Sequence, residues 1–283
     1  MEQIAAPTPV AILMATYNGE PYLSQQLDSL LSQTYQQWTL YIHDDGSTDK
    51  TMEICHTYAR QHPNIIILDY ESQGGARANF LSLLQRIEAS YYLFCDQDDV
   101  WLREKIALQM ERMATEEREH PGQPIVVYSD LAVVDADLQE IAPSFLAYQG
   151  IRPEFLQTFA ELGAANLTTG CTMLFNREAK ALTQIPAPRA AMHDAWVTLS
   201  TARAGGILAL VHQPLVRYRQ HGHNTLGAVS QSRLTPAYRV RHFLSLAQAN
   251  LGHYRMLRAL GYGSWLKFMF YKIKYRYRLR SAQ

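Results

Sequence analysis

Three carboxylates, Asp96, Asp98 and Asp99, fall within four residues directly after the apolar run Tyr91–Cys95. Acids this close repel one another, which raises their pKa values or drives them apart unless a divalent cation takes up the charge. Hard carboxylate oxygens suit Mg²⁺ or Mn²⁺, ions that keep coordination positions open for substrate phosphates. The same residues also fit a helix start, with Asp99 as N-cap of a helix beginning near Trp101 and Asp98 favoured by its dipole. Taken alone, the triplet leaves both readings open.

The elements that must position this cluster read as an α/β chain. Residues 9–15 (PVAILMA) form a continuous apolar run of the buried parallel-strand kind, followed by the turn Thr16-Tyr17-Asn18-Gly19. A helix over 20–33 places Leu23, Leu27, Leu30 and Leu31 on one face, and a strand over 38–43 ends in Asp44-Asp45-Gly46-Ser47-Thr48-Asp49. A second helix runs to about residue 61, with Ser47 or Thr48 expected as its N-cap. A strand at 65–68, a Gly74-Gly75 loop, a helix over 79–88 and the strand bearing the acids complete three strand–helix alternations. That order predicts a doubly wound, mostly parallel sheet with flanking helices. Further on, the pattern predicts a helix over 103–119, a strand at 125–129, a hairpin arm over 131–141 and a loop with a short helix over 149–164. Then follow a strand at 170–175, a helix over His193–Arg203, two short strands around Pro214 within 206–219, and terminal helices over 236–260. Residues 1–230 are expected to be one domain, and 231–283 a helical, basic extension.

Ligands of such sheets bind outside the carboxyl ends of the strands. The loops 16–20, 44–49 and 96–99 all lie at such ends. There Tyr17 can stack on a ring, and Asp45 can accept hydrogen bonds from a base or ribose edge. No Lys or Arg precedes Lys50 and no Gly-rich Walker loop is present, so the first turn is not built for a triphosphate. A diphosphate could instead meet a cation held at Asp96, Asp98 and Asp99, helped by the late cations Arg217, Arg219 and His221. A metal-bound diphosphate that must leave is what a sugar-nucleotide transferase requires. Transfer to a hydroxyl also needs a base. Asp194, the last acid of the chain at the start of the His193–Arg203 helix, offers one, although an acid there also suits the helix dipole.

Composition sets the frame. In 283 residues with net charge zero, all 26 acids lie at or before Asp194, and fourteen Lys or Arg follow it unopposed. One half can supply metal ligands and a base, the other phosphate or membrane contacts. Nothing in the pattern points to nucleic acid as a partner. Cys55, Cys95 and Cys171 sit scattered among apolar residues, which fits reduced thiols in a cytoplasmic protein. The N-terminus has neither a charged lead nor a long apolar run, so neither a signal peptide nor a spanning helix is expected. Residues 265–280 carry six Lys or Arg and six aromatics, a mixture suited either to the inner face of a membrane, in peripheral contact, or to a basic tail packing on the domain.

The stretches VAILMATYNGEPYLSQQLDSLLSQTY, HDDGSTDKT and FCDQDDVW, in this order, resemble family 2 glycosyltransferases of GT-A fold. VVYSDLAVVD, TGCTMLFNRE, MHDAW and YRQHGHNTLG resemble the bacterial rhamnosyltransferase-like branch that builds cell-surface polysaccharides. The resemblance implies that Thr16, Tyr17, Asn18 and Glu20 line the nucleotide pocket and that Asp45 holds the base or ribose. It places Asp96 and Asp98 in the metal and diphosphate motif, with Asp99 as alternative ligand. By the same resemblance His221 would be a third metal or diphosphate contact, with His223 an equal candidate, and Arg77 in QGGARAN would touch the diphosphate. Asp194 matches the base of inverting members, with His193 in the place of their usual Glu. The implied protein is an inverting transferase using Mg²⁺ or Mn²⁺. Its donor would be a dTDP- or UDP-hexose, dTDP-rhamnose first, and its acceptor a glycan or lipid-linked precursor. Two rivals stand beside it. The strand followed by Asp-x-Asp also resembles the nucleophile motif of haloacid-dehalogenase-type phosphatases, which normally lies on the first strand, whereas here at least two strand–helix units precede it. A non-catalytic nucleotide-sugar or glycan-binding subunit would tolerate loss of Asp194 or of the triplet, and both are present.

Overall fold

The structure, a computed structural model, describes residues 10–183, 192–222 and 243–281. Its first half follows the alternation of the sequence: β1 (Val10–Thr16), α1 (Leu23–Leu31), β2 (Trp38–Asp44), α2 (Thr51–Gln61), β3 (Ile65–Ile67), α3 (Ala76–Arg86) and β4 (Tyr91–Cys95). Next come β5 (Val100–Trp101), α4 (Lys105–Glu119), β6 (Ile125–Val134), β7 (Glu140–Ala142), α5 (Phe145–Gln149), α6 (Phe159–Leu162), β8 (Met173–Asn176) and α7 (Arg177–Ala181). The chain continues through α8 (His193–Arg203), β9 (Ile207–Arg219), α9 (Phe243–Ala259) and α10 (Trp265–Ser281).

The strands form one sheet in the order β3-β2-β1-β4-β8-β6-β9-β5, with β7 beside β6. The first four are parallel, β8 runs antiparallel between β4 and β6, and β6 is parallel to β9. The sheet is therefore mixed, with helices on both faces. Alternation along the strands assigns those faces. Val10, Ile12 and Met14 point to the core under α1, α2 and α4 with Leu27, Leu40 and Ile106. Ala11 and Leu13 join Phe80, Leu84, Tyr92, Phe94 and Val197 beneath α3 and α8. A third cluster packs α6, α8, α9 and α10 together through Leu162, Trp196, Leu199, Met256, Leu260 and Phe268.

Three sequence expectations change. The helix after the acids begins at Lys105, because Val100 and Trp101 form a strand paired with β9 and so delay it. Neither Ser47 nor Thr48 caps α2. Lys50 occupies the N-cap position without a side-chain bond, and Asp49 just before it accepts from the Thr51 amide and hydroxyl at 3.0 and 2.5 Å. The two short strands expected around Pro214 are one strand, since Pro214 sits at a register shift against β6 where a missing N–H is tolerated. Of the terminal helices expected over 236–260, residues 236–242 lie outside the described residues. No described helix is long and apolar enough to cross a membrane.

Candidate functional site

A cavity of about 1000 Å³ opens where the carboxyl ends of β1, β2 and β4 meet. Its wall includes Thr16, Tyr17, Asn18, Glu20, Asp45, Asp96, Asp98 and His221, so most of the expected site residues converge there. Arg77 is exposed on the first turn of α3, and Asp99 and Asp194 are buried; none of the three is in that wall. His223 and the loop before Asp194 lie outside the described residues.

Loops at strand ends need their polar groups satisfied, and here they satisfy one another. Asn18 takes a left-handed φ of 48°, which an Asn adopts readily, and its Oδ1 accepts the Thr48 amide at 2.8 Å. The Asn18 amide donates to Ser47 Oγ at 2.8 Å, that of Gly19 to Thr51 Oγ1 at 2.7 Å and that of Glu20 to Asp49 Oδ2 at 3.1 Å. Thr16 Oγ1 donates to Asp44 Oδ1, which also accepts the Ser47 hydroxyl. Asp45 does the same for the loop 72–75: it accepts the Ser72 hydroxyl at 2.6 Å and the amides of Gln73, Gly74 and Gly75. Burial opposes its ionisation, but those four donors outweigh burial and hold its carboxyl below the usual range. Tyr17, by contrast, is 57% exposed at the cavity edge. Its backbone is gripped by Gln97, whose Oε1 accepts the Tyr17 amide and whose Nε2 donates to the Tyr17 carbonyl, both at 2.9 Å. Gly19 lies so close that an added Cβ would come within 2.4 Å of Gln97 Oε1.

The acids are arranged in two tiers. Asp96 and Asp98 border the cavity, and Asp98 Oδ2 lies 2.8 Å from His221 Nε2. Tyr22 stacks on that imidazole with 4.6 Å between centroids. Asp99 is buried beneath, with Oδ1 accepting the Arg219 amide at 3.1 Å and Oδ2 lacking a hydrogen-bond partner. Burial pushes both the Asp96 and Asp99 carboxyls up, and the neighbouring acids push them further. Carboxylate oxygens of these two and the Cys171 sulfur all lie within 4.8 Å of one another. The thiol is a weak donor and does little for Asp99. An orphaned buried carboxylate oxygen among mutually repelling acids fits a hard divalent cation, which would reverse the upward shifts. Arg219 is not a loose late cation. Its guanidinium is buried, donates to the Asp98 carbonyl at 2.8 Å, to the Ala136 carbonyl and to Gln25 Oε1, and lies over Tyr22. It is a strut for the acidic loop.

Asp194 heads α8. Its Oδ1 accepts the Ala195 amide at 2.6 Å, and Asn166 Nδ2 approaches Oδ2 at 3.5 Å. Burial raises its carboxyl from 3.8 to about 6 despite these bonds, and its charge is near enough to raise Asp96 as well. Next to it His193 is stacked on Phe80 at 4.2 Å and edge-on to Phe94 at 4.6 Å, with neither ring nitrogen hydrogen-bonded. Burial lowers its pKa to about 3, so the imidazole is neutral and adds no positive charge beside the base. Gly170 permits this packing, since a Cβ there would come within 2.8 Å of His193 Nε2. Gln97, Asn166 and Gly170 were not singled out from the sequence. Only Gln97 carried a signal, its place inside the acidic run.

Comparison with known proteins bears on the family and the fold. The model of the family described as glycosyl transferase family 2 matches residues 11–182. A dTDP-rhamnosyl transferase, RfbG of Shigella flexneri, is 28% identical over 228 residues, covering 76% of this chain and 74% of that protein. A putative teichuronic acid biosynthesis glycosyltransferase, TuaG of Bacillus subtilis, is 32% identical over 104 residues, covering 37% of this chain and 41% of that protein. Among solved structures, the mannosyltransferase PcManGT from Pyrobaculum calidifontis, in complex with GDP-Man and Mn²⁺, superposes with a TM-score of 0.55 at 17% identity. It covers 97% of this chain and 81% of that one. S. aureus TarS 1–349 with UDP-GlcNAc gives 0.54 at 18% identity over 76% of this chain and 59% of that one. The fold is thus of the GT-A type, and this chain spans 59% of TarS 1–349 with UDP-GlcNAc and 41% of TuaG.

Proposed function

Because the chain belongs to glycosyl transferase family 2, we propose that it is an inverting, metal-dependent transferase moving a hexose from a nucleotide sugar to an acceptor hydroxyl. The observation that carries this reading is the pairing of two separate acid sites: Asp96 and Asp98 at the cavity, and buried Asp194, close enough to act on Asp96. In this reading Asp194 takes the proton of the acceptor hydroxyl. The oxygen forms its bond to the anomeric carbon as the bond to the nucleoside diphosphate breaks, so configuration inverts. A base raised to about 6 is ionised at neutral pH yet more basic than a free carboxylate, as the task requires. Asp96, Asp98 and Asp99, with His221, would hold Mg²⁺ or Mn²⁺, which when bound supplies the counter-charge of the departing diphosphate. Tyr17 stacks on the nucleobase. Loops 16–20, 44–49 and 72–75 form the nucleotide wall, and Asp45 acts through its hold on the last of them.

The donor is dTDP-rhamnose, supported by the name of RfbG, and the solved relatives with UDP-GlcNAc and GDP-Man support a nucleotide-sugar donor in general. The acceptor is a cell-surface polysaccharide or a lipid-linked glycan precursor, met at the inner face of the cell membrane. A thermal-shift panel of nucleotide sugars with and without Mn²⁺ tests the donor. Stabilisation by dTDP compounds but not by UDP or GDP ones is expected, and the reverse order would refute it. The anomeric configuration of the product, opposite to that of the donor, tests inversion.

A further inference from the structure

Helix α10 carries large apolar residues on opposite sides. Phe268 and Tyr275, seven residues apart and hence on one side, are buried in the cluster with Trp196 and Leu260. On the other side Leu266, Phe270, Ile273 and Tyr277 follow one another by four, three and four residues and are 80, 62, 63 and 73% exposed. A helix packed on a domain needs only its inner stripe apolar. An outer stripe of four such side chains asks for a partner. At about 100° per residue, Lys267 and Lys274 fall on one flank of the stripe, Arg276 and Arg280 on the other. All four are exposed, and α10 contains no acid. Trp265, also partly exposed, stands at the start of the helix and Tyr277 near its end.

We infer that α10 lies in the plane of an anionic phospholipid bilayer, its outer stripe in the boundary between headgroups and acyl chains and its flanking cations against lipid phosphates. The charge pattern selects this occupant. Two copies meeting stripe to stripe would bring rows of like charge together, whereas an anionic surface complements both rows. The inner side fixes the helix to the domain. Tyr275 Oη accepts the Arg152 amide at 3.0 Å, Arg278 reaches Glu161 at 3.2 Å and lies over Phe155, and Lys274 on the flank makes an exposed 3.3 Å contact with the same carboxylate. A second cavity of about 580 Å³ is lined by Gly150, Arg152, Glu154 and Gln157 together with Leu279 of α10 itself. Docking therefore holds that cavity at a fixed place relative to the lipid surface. The inference needs no assumption about the reaction.

The test is flotation of the full chain with vesicles of phosphatidylethanolamine and phosphatidylglycerol, against vesicles of phosphatidylcholine alone. Binding to the anionic vesicles, weakening as salt rises, is expected. The double substitution Phe270→Ser with Ile273→Ser should weaken it at least about tenfold. Arg276→Glu with Arg280→Glu should remove the preference for phosphatidylglycerol. Unchanged circular dichroism melts establish that both variants fold, and unchanged nucleoside diphosphate release with a water-soluble acceptor separates docking from transfer. Absence of binding to anionic vesicles, or equal binding by the apolar variant, overturns the inference. So does a dimer in ultracentrifugation that the apolar variant dissolves while vesicles are ignored.

Discussion

Replacing Asp194 by Asn should stabilise the protein while stopping transfer. The carboxyl is buried and lacks a cationic partner among the described residues, so its folded pKa rises from 3.8 to about 6. A carboxyl with a raised folded pKa binds its proton more tightly when folded, so the cost of ionising it falls on the native state. That cost is absent below about pH 4, grows as pH rises from 4 to 6, and is complete above 6. A rise of about two on the pH scale corresponds to ~3 kcal/mol. Asn keeps an oxygen for the Ala195 amide but turns an amide nitrogen toward the Asn166 amide group, which offsets part of the gain. A net ~1–2 kcal/mol remains, or roughly 2–6 °C in Tm for a chain of this size. Differential scanning fluorimetry of the wild type and Asp194→Asn from pH 4 to 8 reads this out. The gap should open between pH 4 and 6 and stay constant above. A gap independent of pH, or a less stable variant at pH 7, would refute the assignment of Asp194 as a buried carboxylate whose ionisation burial opposes.

Four further outcomes follow from the contacts around the site. Gln97→Ala removes both bonds to the Tyr17 backbone and should raise the donor KM about tenfold with kcat little changed. Gly19→Ala displaces the same side chain, so steady-state kinetics of the double variant should match either single one. Asp45→Ala frees the Ser72 hydroxyl and three amides, so limited proteolysis should cut within residues 72–75 faster while the rest of the chain stays resistant. Gly170→Ala drives a methyl into His193, and chemical denaturation should register a loss of ~1–3 kcal/mol.

The apolar runs of β1 and β4, the acids after β4 and the start of α8 at Asp194 were legible in the sequence because each is a local pattern. Periodicity and strand-end position suffice for them. What stayed hidden depends on partners far along the chain. Asp99 reads equally as a helix cap or a metal ligand until Arg219, 120 residues later, supplies the amide it accepts. Asp45 reads as a nucleotide contact, and only the tertiary fold brings Ser72 and the glycine amides onto its oxygens. Strand β6 runs unbroken through Asp130, whose charge breaks the apolar pattern, because Ser144 and the Leu146 amide satisfy it from across a loop. The outer stripe of α10 could not be told from a packed face by composition, since the helix is apolar on both sides.

The central claim, that Asp194 is the base of a transfer whose leaving group is a nucleoside diphosphate, is tested most directly by donor-dependent diphosphate release in the presence of acceptor and Mn²⁺. The account predicts turnover by the wild type that falls with acidity below about pH 6, and a loss of at least ~100-fold in Asp194→Asn with donor binding unchanged. Near-normal turnover by Asp194→Asn with intact donor binding would contradict it.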